Sequence, residues 1–237
     1  MSRLKGVLPD PLLSVVMPVF NERETIEEII PRVLAVPVRT ELIVVDDGST
    51  DGTRDLLTGL QKQHNFKLIF QPKNGGKGAA LRRGFQEVTG DLVVIQDADL
   101  EYSPEEFPDL IDLICKGRAD VVYGSRFLGR HRVFLFTHYL GNRLLTSITN
   151  VLYNTMLSDM ETCYKVMRTE VLRSFTLEAN GFGIEPELTA KIFKRNYRVY
   201  EVPISYAGRE FNEGKKISWH DGFVVLSTLL RCRFLPS

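Results

Sequence analysis

The chain has 237 residues, 43% of them hydrophobic and 25% charged, enough to bury an ordinary core in one large domain or two small ones. Thirty basic residues balance thirty acidic ones, so no global field draws nucleic acid, and an anionic ligand must be held by a local cluster. Cys115, Cys163 and Cys232 are too few and too far apart for a disulfide framework or a CxxC metal site, which fits a reducing, cytoplasmic setting.

The N-terminal residues lead directly into a strand pattern without the apolar core and cleavage site of a secretory signal. No run reaches the roughly 18 to 20 apolar residues that span a bilayer. The run Leu13–Met17 reads as a strand, the apolar-periodic stretch from about Glu22 to Val36 as a helix, and Leu42–Val45 as a second strand. This is a βαβ opening. A helix over 53–63, a strand over 67–70, a helix over 78–88 and a strand over 92–95 continue the alternation. Pro104 suits a first helical turn, and Asp120–Tyr123 reads as the next strand. Strands spaced by helices predict an α/β fold with a mostly parallel sheet covered on both faces.

From Arg126 to Ser158 no acidic residue occurs, while Leu140, Leu144, Ile148, Val151 and Leu152 recur at helical spacing beside Arg130, Arg132 and Arg143. The segment is a basic amphipathic one. Beyond it, 164–167 and 199–202 read as strands, 186–195 as a helix, and about 221–230 as a final apolar helix. The expected organisation is one domain over residues 1–237. Residues 13–125 form a first half, 126–220 a second half, and 221–237 a C-terminal amphipathic helix.

Ligands of such sheets bind beyond the carboxyl ends of the strands, and those positions are polar here. Pro18-Val19-Phe20-Asn21-Glu22 follows the first strand and Asp46-Asp47-Gly48-Ser49-Thr50-Asp51-Gly52 the second; Asn74-Gly75-Gly76-Lys77-Gly78 follows the third and Gln96-Asp97-Ala98-Asp99 the fourth. All four are expected at one edge of the sheet. Asp97 and Asp99 repel unless a cation lies between them, and Mg²⁺ or Mn²⁺ typically joins one or two carboxylates to a diphosphate. Asp46 and Asp47 are placed to accept hydrogen bonds from a base or a ribose. The loop carrying Lys77 reads equally as a phosphate contact and as a plain turn, since it has neither the GxxxxGK[ST] nor the GxGxxG form. His64, His131, His138 and His220 show no metal spacing.

Taken together, Val16–Glu22, Val44–Thr53, Gly75–Ala80 and Asp97-Ala98-Asp99 resemble glycosyltransferase family 2. Gly124-Ser125-Arg126, Asp159–Lys165 and Val202–Arg209 are similar to its branch of dolichol-phosphate mannose synthases and bacterial polyprenyl-phosphate glycosyltransferases. The resemblance covers about residues 13 to 220. It implies the GT-A fold and inverting transfer of a hexose from a UDP- or GDP-sugar to a polyprenyl phosphate at the cytosolic membrane face. In it Pro18, Phe20, Glu22 and Asp46 or Asp47 line the nucleoside pocket, and Asp97 and Asp99 surround the metal and diphosphate. Phe20 departs from the tyrosine often found there, keeping a stacking surface without the hydroxyl. Arg126, Lys165, Arg209, Lys215 and Lys216 are the cations it would bring to the acceptor phosphate.

A hydroxyl acceptor, soluble or glycolipid, would instead need a base; Asp159 and Glu161 are the candidates for base or positioning group, and the sequence departs from the polyprenyl enzymes around Met160-Glu161-Thr162-Cys163. The stretch 130–157 and the terminal segment 219–234 fit equally a surface resting on an anionic leaflet and a packed pair of helices or a homodimer interface. A nucleotidyltransferase reading loses support because the loop after the first strand has none of the glycine-rich, basic character such enzymes use.

Overall fold

The structure is a computed structural model that describes residues 6–132, 136–208 and 219–235. Strands β1 (Leu13–Val19), β2 (Thr40–Asp46), β3 (Lys67–Phe70), β4 (Leu92–Ile95), β5 (Val121–Ser125), β6 (Lys165–Arg168) and β7 (Val199–Pro203) form one sheet in the order β3-β2-β1-β4-β6-β5-β7. Every neighbouring pair is parallel except those of β6, which runs antiparallel between β4 and β5. Six strands therefore end at the same edge, where β6 begins.

The centre of the sheet consists of apolar, largely β-branched runs. Leu13, Val15, Val16, Met17 and Val19 of β1, Leu42–Val45 of β2 and Leu92–Ile95 of β4 are buried, as strands covered on both faces must be. Helix α1 (Ile26–Leu34) buries Ile26, Ile29, Ile30 and Val33 on one stripe. It starts later than the periodicity implies because the preceding turn is tied to the next loop. Asn21 sits at φ 54°, its side chain accepts the Thr50 N–H at 2.9 Å, and its own N–H donates to Ser49 Oγ at 2.9 Å. Helix α2 (Thr53–Gln63) opens as expected, with the Asp51 carboxylate accepting the Thr53 N–H at 3.0 Å.

Helix α3 (Lys77–Phe85) lies directly on β1 and β2. A Cβ on Gly84 would meet Val16 Cγ1 at 2.4 Å, so only glycine allows that approach. Helix α4 (Phe107–Cys115) follows a 3₁₀ turn that begins at Pro104 and packs on β5 and β6. Beyond β5, helices α5 (Phe136–Tyr153), α7 (Ile184–Lys194) and α8 (Trp219–Phe234) pack against one another. The short α6 (Thr169–Arg173) has too few residues to show a period and was not expected. Among the described residues no helix is long and apolar enough to cross a membrane.

Candidate active site

The loops after β1, β2 and β4 and before α3 meet at the shared edge of the sheet, around a cavity of 1110 Å³. Pro18, Phe20, Glu22, Asp47, Lys77, Asp97, Asp99, Arg126 and Glu161 all line it. The four polar stretches that follow the strands thus converge, as their positions in the alternation require. Leu144, Leu145 and Ile148 of α5 and Phe223 and Leu226 of α8 add an apolar part to the lining, beside Thr137, Tyr139 and Asn142 of α5.

Asp46 and Asp47 point to different sides and do different work. Asp46 is fully buried behind the wall, accepting the Gly48 N–H at 3.1 Å and Arg54 Nε at 2.6 Å. Asp47 lines the cavity, and its oxygens accept Gln71 Nε2 at 2.6 Å and the N–H groups of Gly75 and Gly76 at 2.9 and 2.7 Å. Of the two alternatives for the nucleoside pocket, only Asp47 reaches the space. The same bonds shape the glycine loop. The N–H groups of Gly75 and Gly76 face Asp47, the Ala79 N–H donates to Asn180 O at 2.9 Å, and a Cβ on Gly78 would lie 2.3 Å from Ala179 O. The loop is a close-packed turn that presents Lys77 to the cavity.

Asp97 and Asp99 stand at the end of β4. Lys77 Nζ lies 2.8 and 3.0 Å from the two oxygens of Asp97. Burial works against its charge, but Asp97, Cys163 and Glu185 hold its pKa well above the ordinary value. Asp99 Oδ1 accepts the Glu101 N–H at 3.1 Å, and Leu100 beside it takes the left-handed φ of 61°, an uncommon setting for a leucine that fixes the turn. Among the described residues no group of three His, Cys, Asp or Glu side chains makes a closed metal cage. Two carboxylate oxygens on a cavity, one of them already neutralised by an ammonium, fit a hard divalent cation that draws its other ligands from a diphosphate and water.

On the other side, Arg126 is gripped by Asp159, with Nε at 2.7 Å from Oδ2 and Nη2 at 2.8 Å from Oδ1. Its guanidinium lies 5.2 Å from the centre of the Tyr206 ring. Burial would lower the Arg126 pKa, yet Asp159, together with Tyr102 and Tyr206, holds it well above the ordinary value. Asp159 itself is fully buried and does not line the cavity. Of the two roles expected of it, base or positioning group, the base reading is corrected accordingly and the contacts fit the second: Asp159 holds Arg126 in place.

Lys165 also requires correction. It is completely buried, and its ammonium donates to Thr162 O and Glu185 Oε2, so it supports the site from inside the core and offers no charge to an acceptor. Arg209, Lys215 and Lys216 lie outside the described residues. Glu161 stands differently: burial raises its pKa to about 7, the positive charges of Lys165 and Arg126 opposing the shift and the negative ones of Glu185 and Asp159 adding to it. Its Oε1 is buried without a hydrogen-bond partner.

Among the lining residues without an earlier assignment are Glu185 at the start of α7, and Tyr102 and Tyr206, whose rings meet at 5.2 Å. The glycine-flanked Phe182 just before an acidic helix start was the available signal for Glu185. Tyr206 lies within the matched stretch Val202–Arg209, and Tyr102 gave no signal.

Comparison with known proteins gives a consistent result. Residues 14–176 match the family model described as Glycosyl transferase family 2. The dolichol-phosphate mannosyltransferase of Pyrococcus furiosus is 32% identical over 216 residues, covering 86% of this chain. The polyprenol monophosphomannose synthase of Mycolicibacterium smegmatis is 30% identical, covering 88% of this chain. The chain spans 58% of the length of the first relative and 82% of the second. Among solved structures, glucosyl-3-phosphoglycerate synthase from Mycobacterium tuberculosis in complex with Mn²⁺, UDP-glucose and phosphoglyceric acid superposes with a TM-score of 0.71 at 26% identity, covering 96% of this chain and 81% of that one.

Proposed function

The chain belongs to glycosyltransferase family 2, a glycosyltransferase of GT-A fold, and from that premise we propose that it transfers a hexose from a nucleoside diphosphate sugar to a polyprenyl phosphate, with inversion, at a membrane surface. The observation that carries this reading is the mixed lining of the cavity. Asp97, Asp99, Lys77, Arg126 and Glu161 share it with Leu144, Leu145 and Ile148 of α5 and Phe223 and Leu226 of α8. The charged groups suit a donor and a phosphate head group, and the apolar ones suit a hydrocarbon tail.

In this reading Pro18, Phe20, Glu22 and Asp47 bound the nucleoside, with the Phe20 ring a stacking surface for the base. Asp97 and Asp99 would hold a divalent cation, which when bound neutralises the departing diphosphate. Arg126, oriented by Asp159, grips the acceptor phosphate. The acceptor oxygen attacks the anomeric carbon in line, a new C–O bond forms as the bond to the nucleoside diphosphate breaks, and the already ionised phosphate has no proton to lose.

A second reading is favoured by Glu161. A carboxylate with a pKa of about 7 on the cavity wall suits removal of a proton from a hydroxyl acceptor. One assay separates the two: nucleoside diphosphate release from UDP- and GDP-hexoses with Mn²⁺ or Mg²⁺, with and without a short polyprenyl phosphate. Release that depends on the lipid phosphate is the expected result. Release that needs a hydroxyl acceptor and ignores the lipid overturns the acceptor assignment, and no release from any donor overturns the activity.

A further inference from the structure

The contacts of Lys77 are uneven in an informative way. Its ammonium holds both oxygens of Asp97, at 2.8 and 3.0 Å, in a pair whose side chains are 17% and 20% exposed. The same Nζ lies 3.3 Å from Glu185 Oε1, within ion-pair range. That oxygen is buried and accepts no hydrogen bond, although the Glu185 side chain is only 5% exposed and its other oxygen is engaged by Lys165. Lys77 therefore has one tight pair, with Asp97, and beside it a looser ion pair to a buried oxygen that accepts no hydrogen bond.

An unsatisfied buried carboxylate oxygen costs stability, so its retention calls for an explanation. Asp97 is also the carboxylate that a divalent cation would use in the reading above, on which this inference rests, and the ammonium of Lys77 competes with that cation for its charge. We propose that Lys77 is an internal counterion, neutralising Asp97 before substrate arrives and moving onto Glu185 Oε1 when metal and diphosphate enter together. A compact ammonium on a flexible stem suits that exchange, and the short distance to the second seat means that little movement is needed. Glu185 is then a positioning residue, with Lys165 fixing its far oxygen. Metal and nucleotide would each strengthen the other's binding by the same factor, since the two equilibria are linked.

The test is Mn²⁺ binding followed by the free-ion electron spin resonance signal, with Mn²⁺ alone and with added UDP or GDP, on the wild type, Lys77→Met and Lys77→Arg, after thermal melts confirm that each is folded. An opposite charge within a few ångströms shifts the proton affinity of a carboxylate by about tenfold or more, and a similar factor is expected here. Lys77→Met should bind Mn²⁺ alone roughly tenfold more tightly than wild type, with a smaller gain on adding nucleotide. Lys77→Arg should remain weak. If Lys77 were only a diphosphate ligand, Lys77→Met would weaken nucleotide binding and leave the affinity for Mn²⁺ alone unchanged or lower, which overturns the counterion role while the metal site stands. Tightening in Lys77→Arg equal to that in Lys77→Met also overturns it, because charge would not be the cause. Absence of Mn²⁺ binding in all three proteins, with nucleotide or without, overturns the metal site itself and the counterion role with it.

Discussion

Adjacent carboxylates in this chain have separate fates because each meets a different set of donors. Asp46 ends β2 and Asp47 follows it, and that one step takes the side chain from the interior to the cavity. Asp97 and Asp99 sit on the turn after β4 and share the cavity. Asp99→Ala is expected to lower metal-dependent turnover roughly a hundredfold or more, the loss typical of removing a group that stabilises developing charge, with an unchanged melting temperature. Retained activity in a folded variant would rule out the site assignment. Glu161 makes a second prediction. Its carboxyl keeps its proton in the folded state up to about pH 7 but releases it near 4.5 when unfolded. Stability therefore falls as pH rises through that window, by at most about 3 kcal/mol, and is level above it. Urea unfolding of wild type and Glu161→Gln between pH 4.5 and 8 checks this: the wild-type curve should decline where the glutamine variant does not.

At the scale of elements, glycine sets how closely helix, loop and sheet approach. Gly78→Ala is expected to destabilise by about 1–3 kcal/mol, because the new methyl would meet the backbone of Ala179. Gly59→Ala, on the middle of α2 with nothing near the added carbon, should be neutral or stabilise by up to about 1 kcal/mol. Midpoints of urea unfolding at a common m-value separate the two, and equal shifts would refute the packing argument. The pair also marks how far the sequence was legible. The strands 67–70 and 92–95 and the helix 53–63 have the bounds that their periodicity implies, since each is a local pattern ended by turn residues. The start of α1 was misjudged because Asn21, Glu22 and Arg23 are claimed by hydrogen bonds to the loop that ends at Thr53, which no local window contains.

For the whole molecule, the consequence of the fold is an apolar face next to the cavity. Phe136, Leu140, Leu144 and Val151 of α5 and Phe223, Val224, Leu230 and Phe234 of α8 are exposed, and Leu144 and Phe223 also line the cavity. If this face rests on a bilayer, the protein should float with anionic vesicles, and Leu140→Glu with Val151→Glu should abolish flotation while leaving the melting temperature near that of wild type. Wild-type flotation by the double variant, or none by the wild type, would send the face to another partner. The sequence by itself determined the strand and helix alternation, the convergence of the strand-end motifs and the carboxylate pair at Asp97 and Asp99, because these follow from local period and from the rule that parallel strands end together. Only the tertiary structure decided which charges face the cavity. Lys165 and Asp159 carry the same charges as Lys77 and Asp99, but the core closes over the first two and not the second two. Burial and pairing depend on partners such as Glu185 and Arg126, distant in the chain and brought together only when the sheet and its helices close.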